Sequence, residues 1–119
     1  RHDGTFLMTK RPKEGLLAGL WELPGGPKQP RKNAAKSLIE ALDDRLSLGA
    51  VVGSSRGHVH HVFTHRKLEL EILEVQITGE PTNIRFYQDY RWVHPDDVAS
   101  IPLSTLTRKV LNNLEILDD

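Results

Sequence analysis

The chain has 119 residues, with 16 basic residues against 16 acidic ones, six histidines and no cysteine. That length suits one domain with one core, and a formal charge of zero excludes a protein that grips nucleic acid by bulk electrostatics alone. The missing cysteine excludes disulfides, thiolate zinc sites, iron–sulfur ligation by this chain and a cysteine nucleophile. The missing cysteine also fits a cytoplasmic protein, expected to be bacterial and nucleoid-associated when working; no apolar run approaches the roughly 18 residues of a membrane span and no signal peptide is visible. The chain starts at Arg1 and runs at once into strand-like residues, so it reads as excised from something longer.

Thr5 to Lys10 reads as a strand, closed by Pro12. Arg11 to Leu20 is a loop with apolar anchors at Leu16, Leu17, Leu20 and Trp21, so it packs. Trp21 to Leu23 is a short strand, stopped by Pro24-Gly25-Gly26-Pro27. Lys32 to Leu46 is the clearest helix: Ala34, Ala35, Leu38, Ile39, Leu42 and Leu46 make one apolar face, with Pro30 near its start. Its charges run from basic (Lys28, Arg31, Lys32, Lys36) to acidic (Glu40, Asp43, Asp44), the reverse of what a helix dipole favours.

Leu48 to Gly53 is a strand, Ser54 to Gly57 a turn, and Val59 to Phe63 the returning partner strand. Arg66 to Thr78 is a long strand whose apolar phase slips from Leu68, Leu70 and Ile72 to Leu73, Val75 and Ile77, so a bulge is expected near Leu73-Glu74. Gly79-Glu80-Pro81 breaks it. Tyr87 to Val93 is a further strand, Pro95 to Val98 a short turn of helix, and Ser104 caps a last helix whose stripe is Thr107, Val110, Leu111, Leu114 and Leu117. No repeat or interior linker is present, so residues 1–119 form a single α+β domain.

Gly19-Leu20-Trp21-Glu22-Leu23-Pro24-Gly25-Gly26, a loop, the helix and Leu48 resemble the Nudix hydrolase framework. The resemblance implies a Nudix-like fold, a mixed or antiparallel sheet packed between a helix at about 32–46 and a C-terminal helix at about 104–117. The family's box is G-x5-E-x7-R-E-U-x-E-E-x-G-U, with U apolar; its carboxylates hold Mg²⁺ against a diphosphate. Laid on from Gly26, the box keeps Gly26, Leu42 and Leu48, but puts Lys32 at the first Glu, Glu40 at the Arg, and Ala41, Asp44 and Arg45 at the remaining acids. Ser47 takes the glycine. One surviving carboxylate, Asp44, does not make an Mg²⁺ site, so no metal is expected.

Four of the six histidines lie in His58-Val59-His60-His61-Val62-Phe63-Thr64-His65. His58 and His60 share one face of a strand and His61 faces away. Two such histidines fall short of the four ligands of a structural zinc site, so solvated or hydrogen-bonded strand histidines are expected.

A Nudix framework without its metal box, joined to Phe63-Thr64-His65, is similar to the C-terminal domain of the A/G-mismatch-specific adenine DNA glycosylases (the MutY family). The resemblance covers nearly the whole chain. It implies that the loop, Phe-Ser-His in the family, reaches the 8-oxoguanine opposite the adenine to be removed, with Thr64 here in place of the serine. Threonine keeps the hydroxyl and adds a methyl, a tighter fit. Phe63 and His65 would frame the loop, and Arg56, Arg66 and Lys67 are candidate contacts to the DNA backbone. The implied partners are DNA with 8-oxoguanine:adenine or guanine:adenine mispairs and a helical catalytic domain of the same parent chain. That domain would carry the helix-hairpin-helix, the catalytic acid and a 4Fe-4S cluster, so this chain alone would have no catalytic residue and would bind DNA weakly. Two other readings stay open: a Nudix pyrophosphohydrolase acting on a nucleotide, and an inert Nudix-fold binding module.

Overall fold

The fold is described from a computed structural model, which describes residues 4–15, 17–63 and 66–117. Strand β1 (Phe6–Lys10) lies at the centre of a three-stranded sheet. On one side it pairs antiparallel with β2 (Trp21–Glu22), and on the other with β5 (Asp89–Val93). Strands β3 (Gly49–Phe63) and β4 (Arg66–Thr78) form a separate antiparallel pair. A lone parallel bridge joins Trp21 to Leu103.

Alternation along β1 explains how two helices sandwich this sheet. Leu7 faces α1 (Ala34–Leu46) and packs with Leu42, Leu46, Leu48 and Tyr87. Met8 faces the other way, into a core with Trp21, Val93, Val98, Ile101 and Leu111. Leu111 comes from α2 (Thr105–Asn113), and Val98 from the 3₁₀ turn Pro95–Ser100. A third cluster, Val59, Ile72 and Val110, fastens α2 to the β3–β4 pair. The expected helix–sheet–helix arrangement is therefore what the chain builds.

Several local expectations are corrected. Helix α1 starts at Ala34, two residues later than the apolar spacing suggested, because Asn33 caps it by accepting from Lys36 N. Its first turn holds no acid, as the charge order implied, but Arg45 in the last turn suits the dipole. Ile39 is exposed, whereas Ser37 is buried because its Oγ accepts from Gln29 N at 2.9 Å. Helix α2 ends at Asn113; Leu117 still packs on the core, from beyond the helix.

The largest correction concerns Ser54 to Gly57, which is not a turn. Strand β3 runs unbroken through it and pairs with β4 along its length. The register shifts between Val52 and Ser55 and again between Ser55 and Gly57 place the extra residues on β3, not on β4 at Leu73-Glu74. The phase slip in β4 is genuine, since Ile72 is buried and Leu73 half-buried side by side; the bulging chain is its partner. Gly57, at φ 116, is needed there, because a Cβ would sit 3.0 Å from Asn113 Nδ2.

Leu46 is fully buried between α1 and the sheet. Leu46→Ala should destabilise the fold by about 2–5 kcal/mol, read from the midpoint of urea unfolding at unchanged slope.

Candidate functional site

Two regions hold the sequence-marked residues. The first is the far end of the β3–β4 pair. The ladder closes at Val62 opposite Lys67 and Phe63 opposite Arg66. Thr64 and His65, the two residues between them in the chain, lie outside the described residues, as do the side chains of Phe63 and Arg66. Beside this end, His60, His61, Val62, Lys67, Leu68 and Glu69 line a hollow of about 300 Å³. Val62 is 69% exposed, and Lys67 is exposed too.

Arg56 is not part of this cluster. It sits seven residues before Phe63, about 20 Å back along the strand, and its Nη1 donates to Glu74 Oε2 at 3.1 Å. The histidines divide as the strand period demands. His58 Nε2 lies 3.6 Å from Glu71 Oε2 on one face, and His60 stands opposite Glu69 in register. His61 points to the other face, where Lys109 Nζ lies 2.9 Å from its Nδ1. His58 and His61 therefore meet separate partners on opposite faces, and among the described residues no three histidine or acidic side chains are grouped to hold a metal ion.

The second region is the cleft beside α1, about 980 Å³ in volume. Lys32 Nζ donates to Glu40 Oε2 at 2.6 Å, so the residues at the box's first Glu and Arg positions pair here with exchanged charges. Arg45, at a metal-carboxylate position, donates from Nη1 to Gly25 O at 2.7 Å and to Tyr87 Oη at 3.3 Å. Its guanidinium carbon lies 3.8 Å from the centre of the Phe86 ring. Tyr87 Oη in turn donates to Gly25 O and accepts from Gly25 N. A Cβ on Gly26 would meet Ala41 Cβ at 3.2 Å and the Arg45 guanidinium carbon at 3.5 Å, so the box glycine now serves the arginine.

These residues do not fit a divalent cation. Lys32, Ala41 and Arg45 offer no oxygen donor where three acids are needed, and among the described residues no three acidic or histidine side chains are grouped to hold one. Ser47, at the box's glycine, keeps the left-handed backbone (φ 50) and closes α1 by donating from its N–H to Asp43 O. Arg85 Nη2 also donates to Asp43 O and to Ser47 Oγ.

Glu22 lies across the cleft. Arg11 Nη1 donates to both its oxygens, at 3.1 and 3.3 Å. Burial nevertheless pushes the Glu22 carboxyl above the ordinary carboxylate range, against the opposing pull of Arg11 and Arg45. Arg45, Phe86 and Tyr87 were not marked by the sequence as site residues; Arg45 carried a signal, as a base at an acidic box position, and the φ of 71 at Phe86 carried none.

The loop, helix and sandwich define the class of a Nudix-type scaffold whose box helix keeps one of its carboxylates, Asp44. A model of the NUDIX domain matches residues 1–113, and the chain belongs to that family. Adenine DNA glycosylase of Arabidopsis thaliana is 30% identical over 90% of the chain, and that of Homo sapiens is 30% identical over 88%. The chain spans about 20% of the length of each. CTP pyrophosphohydrolase of Escherichia coli is 26% identical over 86% of the chain, which spans 76% of it. Among solved structures, the C-terminal domain of mouse MUTYH, in complex with human PCNA, superposes with a TM-score of 0.71 at 27% identity, covering 93% of this chain and 75% of that one. A MutT Nudix hydrolase from Burkholderia pseudomallei superposes with a TM-score of 0.83 at 23% identity, covering 94% and 89%, and shares the fold.

The raised Glu22 pKa sets a pH dependence. The folded state binds the proton more tightly than the unfolded one, so stability is lost as pH rises through the ordinary carboxylate range to the higher folded-state value. Glu22→Gln removes that loss. Denaturant unfolding across this window should show the variant gaining on the parent as pH rises, with a plateau above it.

Proposed function

We propose that this chain is the lesion-recognition domain of an adenine DNA glycosylase that removes adenine mispaired with 8-oxoguanine, the excision itself belonging to a catalytic domain elsewhere in the parent chain. The observation that carries the reading is the β3–β4 ladder closing at Phe63–Arg66, which leaves Thr64-His65 as the only two residues joining the strands. Relatives of that name at 30% identity and the likeness to the mouse MUTYH domain support it. So does a helix that offers Lys32, Ala41 and Arg45 where a hydrolase needs acids.

The chemistry asked of the tip is small. Guanine N7 is only an acceptor, whereas 8-oxoguanine carries N7–H and a carbonyl at C8. The Thr64 hydroxyl can accept from that N–H or donate to that carbonyl. Phe63 and His65 frame the hydroxyl, and Arg66 and Lys67 are the phosphate neighbours. Arg56, about 20 Å back along the strand and paired with Glu74, would be a more distant contact to the DNA backbone. The 4Fe-4S cluster and the catalytic acid are assigned to the parent's helical domain. The parent would work in base-excision repair on chromosomal DNA; no described helix of this chain is long and apolar enough to cross a membrane.

In the parent protein, Thr64→Ala should reduce the preference for 8-oxoguanine:A over G:A by about 1–3 kcal/mol, from single-turnover excision of both duplexes, and Thr64→Ser should retain it. An unchanged ratio in Thr64→Ala would remove Thr64 from the reading.

The likeness to CTP pyrophosphohydrolase favours hydrolysis as the second reading. It predicts Mg²⁺-dependent release of pyrophosphate from CTP or oxidised dGTP. The helix's donor set predicts none above the protein-free rate, and a phosphate-release assay decides between them.

A further inference from the structure

The net charge of zero hides an uneven distribution. From Leu23 to Ile39 the chain carries four cations, Lys28, Arg31, Lys32 and Lys36, and no acid. The next acid along α1, Glu40, is taken by Lys32. Lys28, Arg31 and Lys36 are exposed, and among the described residues no ion pair engages them. Cations around the start of a helix oppose its dipole, so the fold gains nothing from them there. The backbone that carries them is nonetheless tied down. Gln29 N donates to Ser37 Oγ at 2.9 Å, Lys32 N donates to Gln29 O at 3.2 Å, and Asn33 Oδ1 accepts from Lys36 N. Pro27 and Pro30 fix φ on either side of Lys28-Gln29.

The cluster shares a side of the molecule with the hairpin end. Lys28 and Ala34 line the cleft beside α1, and Leu68 and Glu69 line both that cleft and the hollow at the hairpin end. The start of α1 and the hairpin end therefore open onto one continuous concave side. Glu22, Glu69 and Glu71 also line the cleft, facing Arg11, His60 and His58. Arg31 and Lys36 do not line it and stand clear of those acids. The domain measures 37 × 34 × 30 Å, about one helical turn of duplex.

We propose that Lys28, Arg31 and Lys36 form a second contact to DNA, holding the phosphate backbone of the duplex that flanks the lesion while the hairpin end reads the base. This rests on the reading above that the hairpin meets 8-oxoguanine in duplex DNA. Separate exposed cations spread over nine residues suit a line of phosphates, each of which takes one Lys or Arg whatever the sequence. An acidic protein surface would ask for the same charge, but on that reading a duplex already runs past this side of the domain. The contact sets the register of the duplex on the domain and adds affinity without discriminating bases.

The test is equilibrium binding of the parent protein, by fluorescence anisotropy over a salt series. The duplexes pair 8-oxoguanine with 2′-fluoroadenosine, which resists excision, and are matched by undamaged ones. One set extends about 15 base pairs past the lesion on each side, and a hairpin-capped set about four, too short to cross the domain. The Lys28→Gln, Arg31→Gln, Lys36→Gln triple variant should bind the long duplexes about tenfold or more weakly at about 0.1 M salt, damaged and undamaged alike, with the salt slope reduced by about 2–3. On the short duplexes it should match the unsubstituted protein. Arg31→Gln alone should lower the slope by about 1. All three side chains are exposed and none caps α1, so the variants keep the fold. Thr64→Ala, measured alongside, should lose lesion preference at unchanged slope. If the unsubstituted protein shows no lesion preference, the reading and this proposal fall together. If it does, unchanged affinity and slope in the triple variant, or an equal loss on short and long duplexes, overturns this proposal alone and leaves the cluster to an acidic protein surface.

Discussion

The loop and helix beside the cleft depend on what Arg45 does with its guanidinium. From the last turn of α1 it reaches Gly25 O and Tyr87 Oη, and Tyr87 closes the knot by bonding both the N–H and the carbonyl of Gly25. Three elements far apart in sequence, the glycine loop, α1 and the approach to β5, are thereby held at one point. The position of Gly26 follows from it, since a side chain there would push against both Ala41 and Arg45. Arg85 fastens the same helix end by donating to Asp43 O and Ser47 Oγ.

The Lys32–Glu40 pair makes a related point about polarity. Lys32 and Glu40 tie the loop to the helix, each carrying the charge opposite to that of its box position. Both side chains are more than a third exposed, so the pair is worth about 0.2–1 kcal/mol and either polarity serves equally well. What cannot be exchanged so freely is the apolar set. Leu42, Leu46 and Leu48 are buried, and Gly26 has no room for a side chain. The apolar positions of the box and Gly26 are therefore retained, while three of its four acidic positions are not.

What the sequence made legible follows the same division. Apolar spacing revealed α1, and Ser104 did cap α2, accepting from Thr107 N. The phase slip in β4 was readable because burial forces side chains to declare their face. Its cause was not, because Ser54-Ser55-Arg56-Gly57 has the composition of a turn; a long ladder with β4 overrides that local preference and absorbs the extra residues as bulges. Ile39 and Ser37 exchanged roles because one local hydrogen bond, from Gln29 N, outweighed hydrophobicity. The cleft was half legible. Its lost acids were plain, but nothing in the order of residues says that Arg45 will turn inward onto Phe86.

The hairpin raises a question of rigidity that its bracing answers. A two-stranded ribbon alone is at best marginally stable and strongly twisted. Here α2 lies along it. Val110 packs on Val59 and Ile72, Asn113 Nδ2 donates to Arg56 O, and Lys109 meets His61 near the far end. The bulges add twist just where Gly57 lets Asn113 approach. For the proposed role this bracing matters more than the charge of the tip. Two bases that differ at N7 and C8 are separated by one hydroxyl only if that hydroxyl arrives within hydrogen-bond tolerance, a few tenths of an ångström. A zero net charge brings little affinity, so on that proposal the domain would contribute position, and α2 and the bulged strand brace the ladder up to its last described pair, Phe63 opposite Arg66.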